Sequence, residues 1–534
     1  MPPETNGLAP PPGPPAGVES PAAPANLVVI GLILAVAVTL VSRLADPLGV
    51  RTDSWSEAQV IISGIGYSVS GFFAYAGLPQ HQIGPPVDPY FLYANYPVLS
   101  NFLYGILLQI GAEQHGLYRL PAIMASLLAV WLWYRLVARV VDRPTAVAAT
   151  VALASSFEFL TYADNIHQQA YPLAPQLGAL LCLVIGVASE TVHRSAWLLG
   201  SAVCLLLVSL LTLELYLWLM IAMFGYVLLF GSAVRWRWLL LLALPLCVGL
   251  GIQWFQNWAG LPTRVEERPG IVDSLYRRSI GFAAALDTPL DANRQRLSLT
   301  TYPAFMLSRF RELYLLPVWV VPVLMLFSYV GAGPPTWSPK GWPAQFKLLA
   351  ILLVAGLGWM GTMMQQTAVH PATMRQLLPF YALLLGVTWT QAIRAGLDAR
   401  RNLVWRCVLS LVALATLVPH FKATWSNIRM HLDHAYIHPT LMEPGWEESA
   451  DLAPLHELPE HSVLLTNHGR VPLIRYWSRR PTYLAPRIKV SVAGSAERSW
   501  LDDAELSARS VRRQVATAPL SVSCRSSSSA SIGV

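Results

Sequence analysis

The sequence predicts an all-α polytopic membrane protein of about eleven transmembrane helices, with a small extracytoplasmic α/β domain at its carboxyl end. Three observations carry that prediction. Of 534 residues, 54% are hydrophobic and only 13% are charged, about half the charged share of a soluble chain. Mean hydropathy is +0.45. The apolar residues gather into runs long enough to cross a bilayer, and the last such run stops near Phe421. The net charge of +7 comes from 33 arginines and 4 lysines against 30 acids. It is spread among loops rather than drawn into a basic stripe with interleaved aromatics, so nucleic-acid binding gets no support.

From the amino end, the first 25 residues hold nine prolines and no Lys or Arg. Segment 1–26 therefore reads as a disordered cytoplasmic tail, since a signal peptide would begin with a basic stretch. Residues 27–421 form the transmembrane domain and 422–520 the extracytoplasmic domain. The low-complexity stretch 521–534 reads as a disordered tail. Four of the five cysteines lie inside apolar runs and no CxxC occurs, so neither a disulfide framework nor a zinc knuckle is indicated.

Spans are expected at Leu27–Val41, Leu120–Val140, Thr145–Tyr162, Tyr171–Ser189, Ala196–Leu211 and Leu215–Gly231. Five more follow at Trp238–Phe255, Leu313–Val330, Leu348–Met363, Leu377–Ile393 and Leu403–Pro419. Tyr96–Ala112 is short, begins beside a proline and carries Asn101 and Gln109. Charge decides its placement. If it spanned, Arg135, Arg139 and Arg143 would face outward, against the positive-inside rule. Laid along the outer surface as an interfacial helix, it puts every short basic loop inside. The chain then sits in the plasma (inner) membrane as a multi-pass protein, its amino end cytoplasmic and its carboxyl domain outside. In that domain Ser462–Thr466 and Thr482–Leu484 read as strands and Val471–Arg479 as a helix.

The outer loops collect the polar groups: the carboxylates Asp53, Glu57 and Asp164, with Arg119, His167, His370 and Arg375 as partners for an anion. Such a rim suits chemistry on a lipid-borne substrate. A polyprenyl tail lies in the bilayer and its phosphate sits at headgroup depth. Arg and His hold phosphate by charge-assisted hydrogen bonds, and a carboxylate accepts the proton of an attacking hydroxyl. Any single rim carboxylate also reads as a solvated loop residue. Glu214 sits at a helical hairpin tip, either functional or merely reaching water, and Glu158, one turn below a helix end, stays unassigned. His431, His434 and His438 share a helical face, but no Cys or acidic partner completes a zinc site, and no metal is assigned.

The order of motifs resembles the GT-C superfamily of membrane glycosyltransferases, near the protein O-mannosyltransferase and aminoarabinose transferase branch. The motifs are Asp53-Ser-Trp-Ser-Glu57, Asn95-Tyr-Pro-Val-Leu99, Gly111 and Tyr118-Arg-Leu-Pro121. The likeness covers about Leu27 to Phe421. It implies an acidic pair in the first outer loop, which here falls on Ser56-Glu57, with serine in place of the first acid. Asp53, one helical turn earlier, is the candidate replacement. Asp164 matches the second-loop acid, and Arg375-Gln-Leu-Leu-Pro379 resembles the late basic motif, with Gln376 in its aromatic place.

The resemblance implies inverting transfer of a hexosyl or pentosyl group from a polyprenyl-phosphate carrier to a lipid, glycan or protein acceptor. Asp53 or Glu57 would act as base, Asp164 would position a substrate, and Arg375 and His370 would offset phosphate charge. No nucleotide cofactor is implied, since no Gly-rich phosphate loop occurs; the part of a divalent ion stays open. The rival classes are a lipid or polar-solute transporter or flippase, for which internal repeats and broken mid-membrane helices are expected, and a non-catalytic relative of the same family.

Overall fold

The computed structural model describes residues 22–44, 54–81, 92–94, 97–110, 115–166, 170–189, 191–230, 242–261, 300–314, 320–321, 323–325, 341–364, 367, 371–397, 403–432, 463–466, 482–484 and 522–524. Among these the chain is a helical bundle built from α1 (Ala22–Val41), α2 (Ser54–Ser70), α3 (Leu99–Gln109), α4 (His115–Val140), α5 (Arg143–Ala154), α6 (Phe157–Tyr162) and α7 (Leu173–Ala188). It continues through α8 (Thr191–Leu211), α9 (Leu215–Phe230), α10 (Leu244–Gly260), α11 (Tyr302–Tyr314), α12 (Ala344–Thr362), a 3-10 turn over Pro371–Leu377, α13 (Leu378–Leu397) and α14 (Leu403–Leu432).

Five of these helices are long and apolar enough to cross a membrane: α1, α4, α8, α12 and α14. Two shorter apolar helices, α7 and α9, stand beside them. The bundle leaves large apolar side chains on its outside, among them Leu34 and Val38 of α1, Leu199 of α8, Val354 of α12 and Leu411 of α14. Trp133, Trp218 and Trp359 are fully buried. Exposed apolar stripes on helices whose other faces are tightly packed fit a hydrocarbon surround, not water.

Packing between the long helices is close where glycine allows it. A Cβ on Gly386 of α13 would lie 2.5 Å from the backbone nitrogen of Ala149 in α5. Trp133 of α4 donates its indole N–H to the Ala149 carbonyl at 3.2 Å on the same helix. Polar pins add register: Tyr134 of α4 donates to Asn26 of α1 at 2.8 Å.

Several boundaries differ from the sequence-based expectation. The single span expected over Thr145–Tyr162 is two helices, α5 and α6, broken at Ser155–Ser156. Ser156 caps α6, its hydroxyl accepting from the Phe159 N–H at 3.1 Å, as a good N-cap residue does. At 12 residues, α5 rises only about 18 Å. The first helix starts at Ala22, inside the stretch read as a disordered tail. The last runs through Pro419 to Leu432 rather than stopping there. Helix α11 ends at Tyr314, where the span over Leu313–Val330 was expected to begin.

The carboxyl region holds three parallel strands, β1 (Val463–Thr466), β2 (Thr482–Leu484) and β3 (Val522–Cys524), in the order β2-β1-β3. Leu464 pairs with Thr482 and Ser523. The first two strands fall within the segments read as strands. The third lies in the segment read as an unfolded tail, which corrects that boundary. The helix expected over Val471–Arg479 lies outside the described residues.

Candidate active site

The short helix α6 and the turn that follows it organise the site. Serine at 156 starts α6 afresh, so Glu158 falls in its first turn and the chain leaves its end straight into the turn 163–166. That turn is pinned from three sides. Ser126 of α4 donates to the Ala163 carbonyl at 2.6 Å. Arg119 of α4 reaches the Asp164 carbonyl at 3.4 Å. Glu57 of α2 accepts from the Ile166 N–H at 3.1 Å.

Glu57 and Arg119 form an ion pair at 2.8 Å with both side chains fully buried, and the second carboxylate oxygen receives Arg119 Nη2 at 3.5 Å. Arg43, just past α1, donates to the Leu160 carbonyl of α6 at 2.7 Å and to Asn427 of α14 at 3.0 Å. The same guanidinium lies 3.9 Å from Asp164 Oδ1. Beside this group the Tyr104 and Tyr171 hydroxyls are in hydrogen-bond contact, which ties α3 to the far end of the 163–171 connection. Burial holds the Tyr104 phenol well above its usual pKa, so it stays neutral.

Arg375 occupies the 3-10 turn that packs against α6, and the residues flanking it are fixed. Tyr314 of α11 donates to the Met374 carbonyl at 2.6 Å. Trp218 of α9 donates to the Gln376 carbonyl, and the Gln176 amide of α7 to the Gln376 side chain, both at 3.0 Å. Gln376, standing where the family motif has an aromatic, is thus a hydrogen-bonding anchor. Burial pulls the Arg375 guanidinium below its usual pKa, while the opposing charge of Glu158, with Tyr162 and Tyr314, pulls it back up. Glu158 faces this turn fully buried, and neither of its oxygens accepts a hydrogen bond.

Three carboxylates and three guanidiniums therefore surround α6: Glu57, Glu158 and Asp164 against Arg43, Arg119 and Arg375, each between 0% and 3% exposed. Charges this deep are costly, and clusters of them concentrate at functional sites. Of the residues singled out from sequence, Glu57, Arg119 and Asp164 are brought together, and Arg375 lies in the turn packed against α6. Asp53, His167 and His370 lie outside the described residues, as do His434 and His438. Glu214 is buried at the α8–α9 tip, its carbonyl accepting from the Trp359 indole at 2.9 Å. Arg43 and Glu158 are the members that sequence reasoning did not assign. Among the described residues, no three His, Cys, Asp or Glu side chains converge as a metal-holding group.

No protein-family model matches the chain, and no curated protein matches it in sequence. Solved structures do match. The crystal structure of ArnT from Cupriavidus metallidurans bound to undecaprenyl phosphate superposes with a TM-score of 0.55 at 14% identity, covering 88% of this chain and 87% of that one. Its apo form gives 0.53 at 14% identity, over the same shares of each chain. The Archaeoglobus fulgidus oligosaccharyltransferase tethered to an acceptor peptide gives 0.50 at 13% identity, over 85% of this chain and 63% of that one. The chain therefore shares the fold of these structures, in keeping with the motif resemblance.

Proposed function

We propose that the protein is a membrane glycosyltransferase that moves a sugar from a polyprenyl-phosphate carrier to an acceptor hydroxyl at the end of the bundle around α6. The observation that carries this reading is the group of six buried ionisable side chains on and beside α6 there. A transporter pathway would place its polar groups at mid-membrane between repeated halves, and this group lies at one end. The fold shared with ArnT, whose crystal structure holds undecaprenyl phosphate, supports the donor class. In this reading the amino end is cytoplasmic, about eleven spans cross the plasma membrane, and the site faces outward with the carboxyl domain.

The chemistry follows from the arrangement. A carboxylate takes the proton of the acceptor hydroxyl as its oxygen attacks the anomeric carbon. The bond from that carbon to the phosphate oxygen breaks, and its electron pair leaves on the polyprenyl phosphate, with inversion. Arg375 meets the growing negative charge through parallel hydrogen bonds, joined by His370. Asp164 and Asp53 are the base candidates. Glu57 is committed to Arg119 and the Ile166 N–H. Its part is to hold the turn that presents Asp164. Glu158, buried beside the same turn, neighbours Arg375 before the donor arrives.

The test is to incubate purified protein with a panel of polyprenyl-phosphate sugars and acceptor extracts, and to measure release of free polyprenyl phosphate. Release with at least one sugar, lost in Asp164→Asn, is the expected result. Unchanged release in Asp164→Asn, or none across the panel together with uptake of the intact carrier into the opposite leaflet, overturns the reading.

A further inference from the structure

Helix α14 meets two environments. Leu411, Leu414, Val418 and Trp425 are exposed on the apolar outside of the bundle. Thr416, His420, Thr424 and Asn427 recur at helical spacing, share one face and are all buried. That polar face grips the break between α5 and α6. The His420 ring meets the Ser155 hydroxyl at 2.9 Å, and Thr424 donates to the Ser155 carbonyl. Asn427 donates to the Thr161 hydroxyl of α6 at 2.8 Å.

The contact at Asn427 has a fixed direction. Thr161 gives its only hydroxyl proton to the Phe157 carbonyl at 2.7 Å, so its oxygen accepts from Asn427 Nδ2. The amide oxygen Oδ1 is thereby turned to Arg43, whose Nη2 donates to it at 3.0 Å. Arg43 Nη1 donates to the Leu160 carbonyl at 2.7 Å. Two neutral acceptors thus restrain the guanidinium. Asp164 Oδ1 stands 3.9 Å from Nη1, near enough for attraction and beyond hydrogen-bond reach. Hydrogen bonds between a guanidinium and a carboxylate settle at about 2.7–2.9 Å, so Arg43 is held short of that contact.

We infer that Asn427 is a positioning residue. It tethers Arg43 so that the guanidinium stays beside Asp164 without closing on it, which leaves that carboxylate open to the acceptor hydroxyl. The inference rests on the reading of Asp164 as the base in glycosyl transfer, and it gives Arg43 and the end of α14 a part in that reaction.

The experiment uses the full-length protein in detergent with a polyprenyl-phosphate sugar that supports release. Asn427→Leu removes the tether and keeps the side-chain volume. Its kcat is expected to fall about 10- to 100-fold, the worth of one hydrogen bond to a charged group. KM for the donor should change little, because Asp164 acts on the acceptor. Adding Arg43→Met removes the group that closes on Asp164 and should restore most of the lost kcat, whereas a merely structural role for Asn427 gives a further fall. A cryo-EM structure of Asn427→Leu with a bound antibody fragment reads the geometry without activity, and Arg43 is expected within about 3 Å of Asp164. Thr161→Val, at a half-buried position, loosens the same amide from its other end and carries both readouts if Asn427→Leu does not fold. No approach of Arg43 to Asp164, or no recovery in the double variant, overturns the inference. Closure in that structure, with no release of polyprenyl phosphate by the unsubstituted protein, would keep the tether and remove the glycosyl-transfer reading.

Discussion

The two ends of helix α4 hold the same chemical pair in opposite surroundings. Near its start, Arg119 meets Glu57 at 2.8 Å with both side chains at 0% exposure. Just beyond its other end, roughly 35 Å away along the axis, Asp142 meets Arg394 at 3.0 Å with exposures of 35% and 52%. Coulomb's law at equal distance does not make these pairs equal. Solvent screens the second and leaves it worth about 0–1 kcal/mol. The first has lost the hydration of both ions, a cost its attraction repays only with further hydrogen bonds. The Ile166 N–H and the Asp164 carbonyl supply them. A fold seeking only stability would place apolar side chains there. Keeping six buried ionisable groups around α6 makes sense where the site must hold a charged reactant, and the exposed pair at the other end carries no such demand.

The largest expected effect comes from breaking the buried pair. Arg119→Ala strands the Glu57 carboxylate in the interior and should cost about 3–5 kcal/mol, seen as a lowered midpoint of tryptophan-monitored unfolding in detergent. Replacing both partners, as Glu57→Leu with Arg119→Met, should recover much of that stability while donor turnover stays lost. A single-variant cost below about 1 kcal/mol, the range of an exposed pair, would break the comparison.

Next in size is the carboxylate that the pair presents. Asp164→Asn should lower turnover about 10²–10⁴-fold with the unfolding midpoint nearly kept, because the turn holding it is pinned through backbone atoms at Ala163, Asp164 and Ile166. Parallel loss of stability and turnover would instead make Asp164 a partner for Arg43 and nothing more.

How much of this end was legible beforehand follows from the residues themselves. Glu57, Arg119 and Asp164 stand out because acids and arginines near apolar runs are rare, and rarity at membrane depth signals use. Arg43 did not stand out. An arginine closing the first apolar helix reads as a headgroup anchor, and only the fold brings Leu160 and Asn427 to its guanidinium. Glu158 stayed unassigned because Thr145–Tyr162 reads as one helix. The restart at Ser156 redirects its side chain, and a serine pair in an apolar run announces a cap only once the turn is seen. The carboxyl region split along similar lines: β1 and β2 lie in apolar stretches read as strands, whereas β3 is three residues long and pairs across a long separation in sequence.

A smaller effect should separate binding from bulk charge at Arg375. Lysine keeps the charge but loses the planar fork. Losing one charge-assisted hydrogen bond is worth about 1.5–3 kcal/mol, so Arg375→Lys should reduce kcat/KM for the donor about 10- to 100-fold. Because phosphate charge grows as the sugar bond breaks, kcat falls along with binding. Glu158→Gln should act in the same direction through Arg375, and Arg375→Lys should then add little to it, since neighbours sharing one interaction are not additive. Additive losses would detach Glu158 from the guanidinium and leave the carboxylate without its assigned part.

The smallest effect belongs to the exposed pair, and it tests the comparison from the other side. Asp142 has two duties, which one substitution separates. Its Oδ1 caps α5 by accepting from the Thr145 N–H at 2.8 Å, and its Oδ2 accepts from Arg394. Asparagine keeps a capping oxygen, as one of the preferred N-cap residues, and removes only the charge. Asp142→Asn should therefore change stability by no more than about 1 kcal/mol, and the small change should shrink further in high salt, which screens exposed charges. Asp142→Ala removes the cap as well and should cost about 0.5–2 kcal/mol more, with donor turnover unchanged in both variants because the reacting end lies a full helix length away. A loss in Asp142→Asn as large as in Arg119→Ala, or a salt-independent one, would mean that exposure does not separate the two ends, and the buried ring around α6 would lose its claim to a special role.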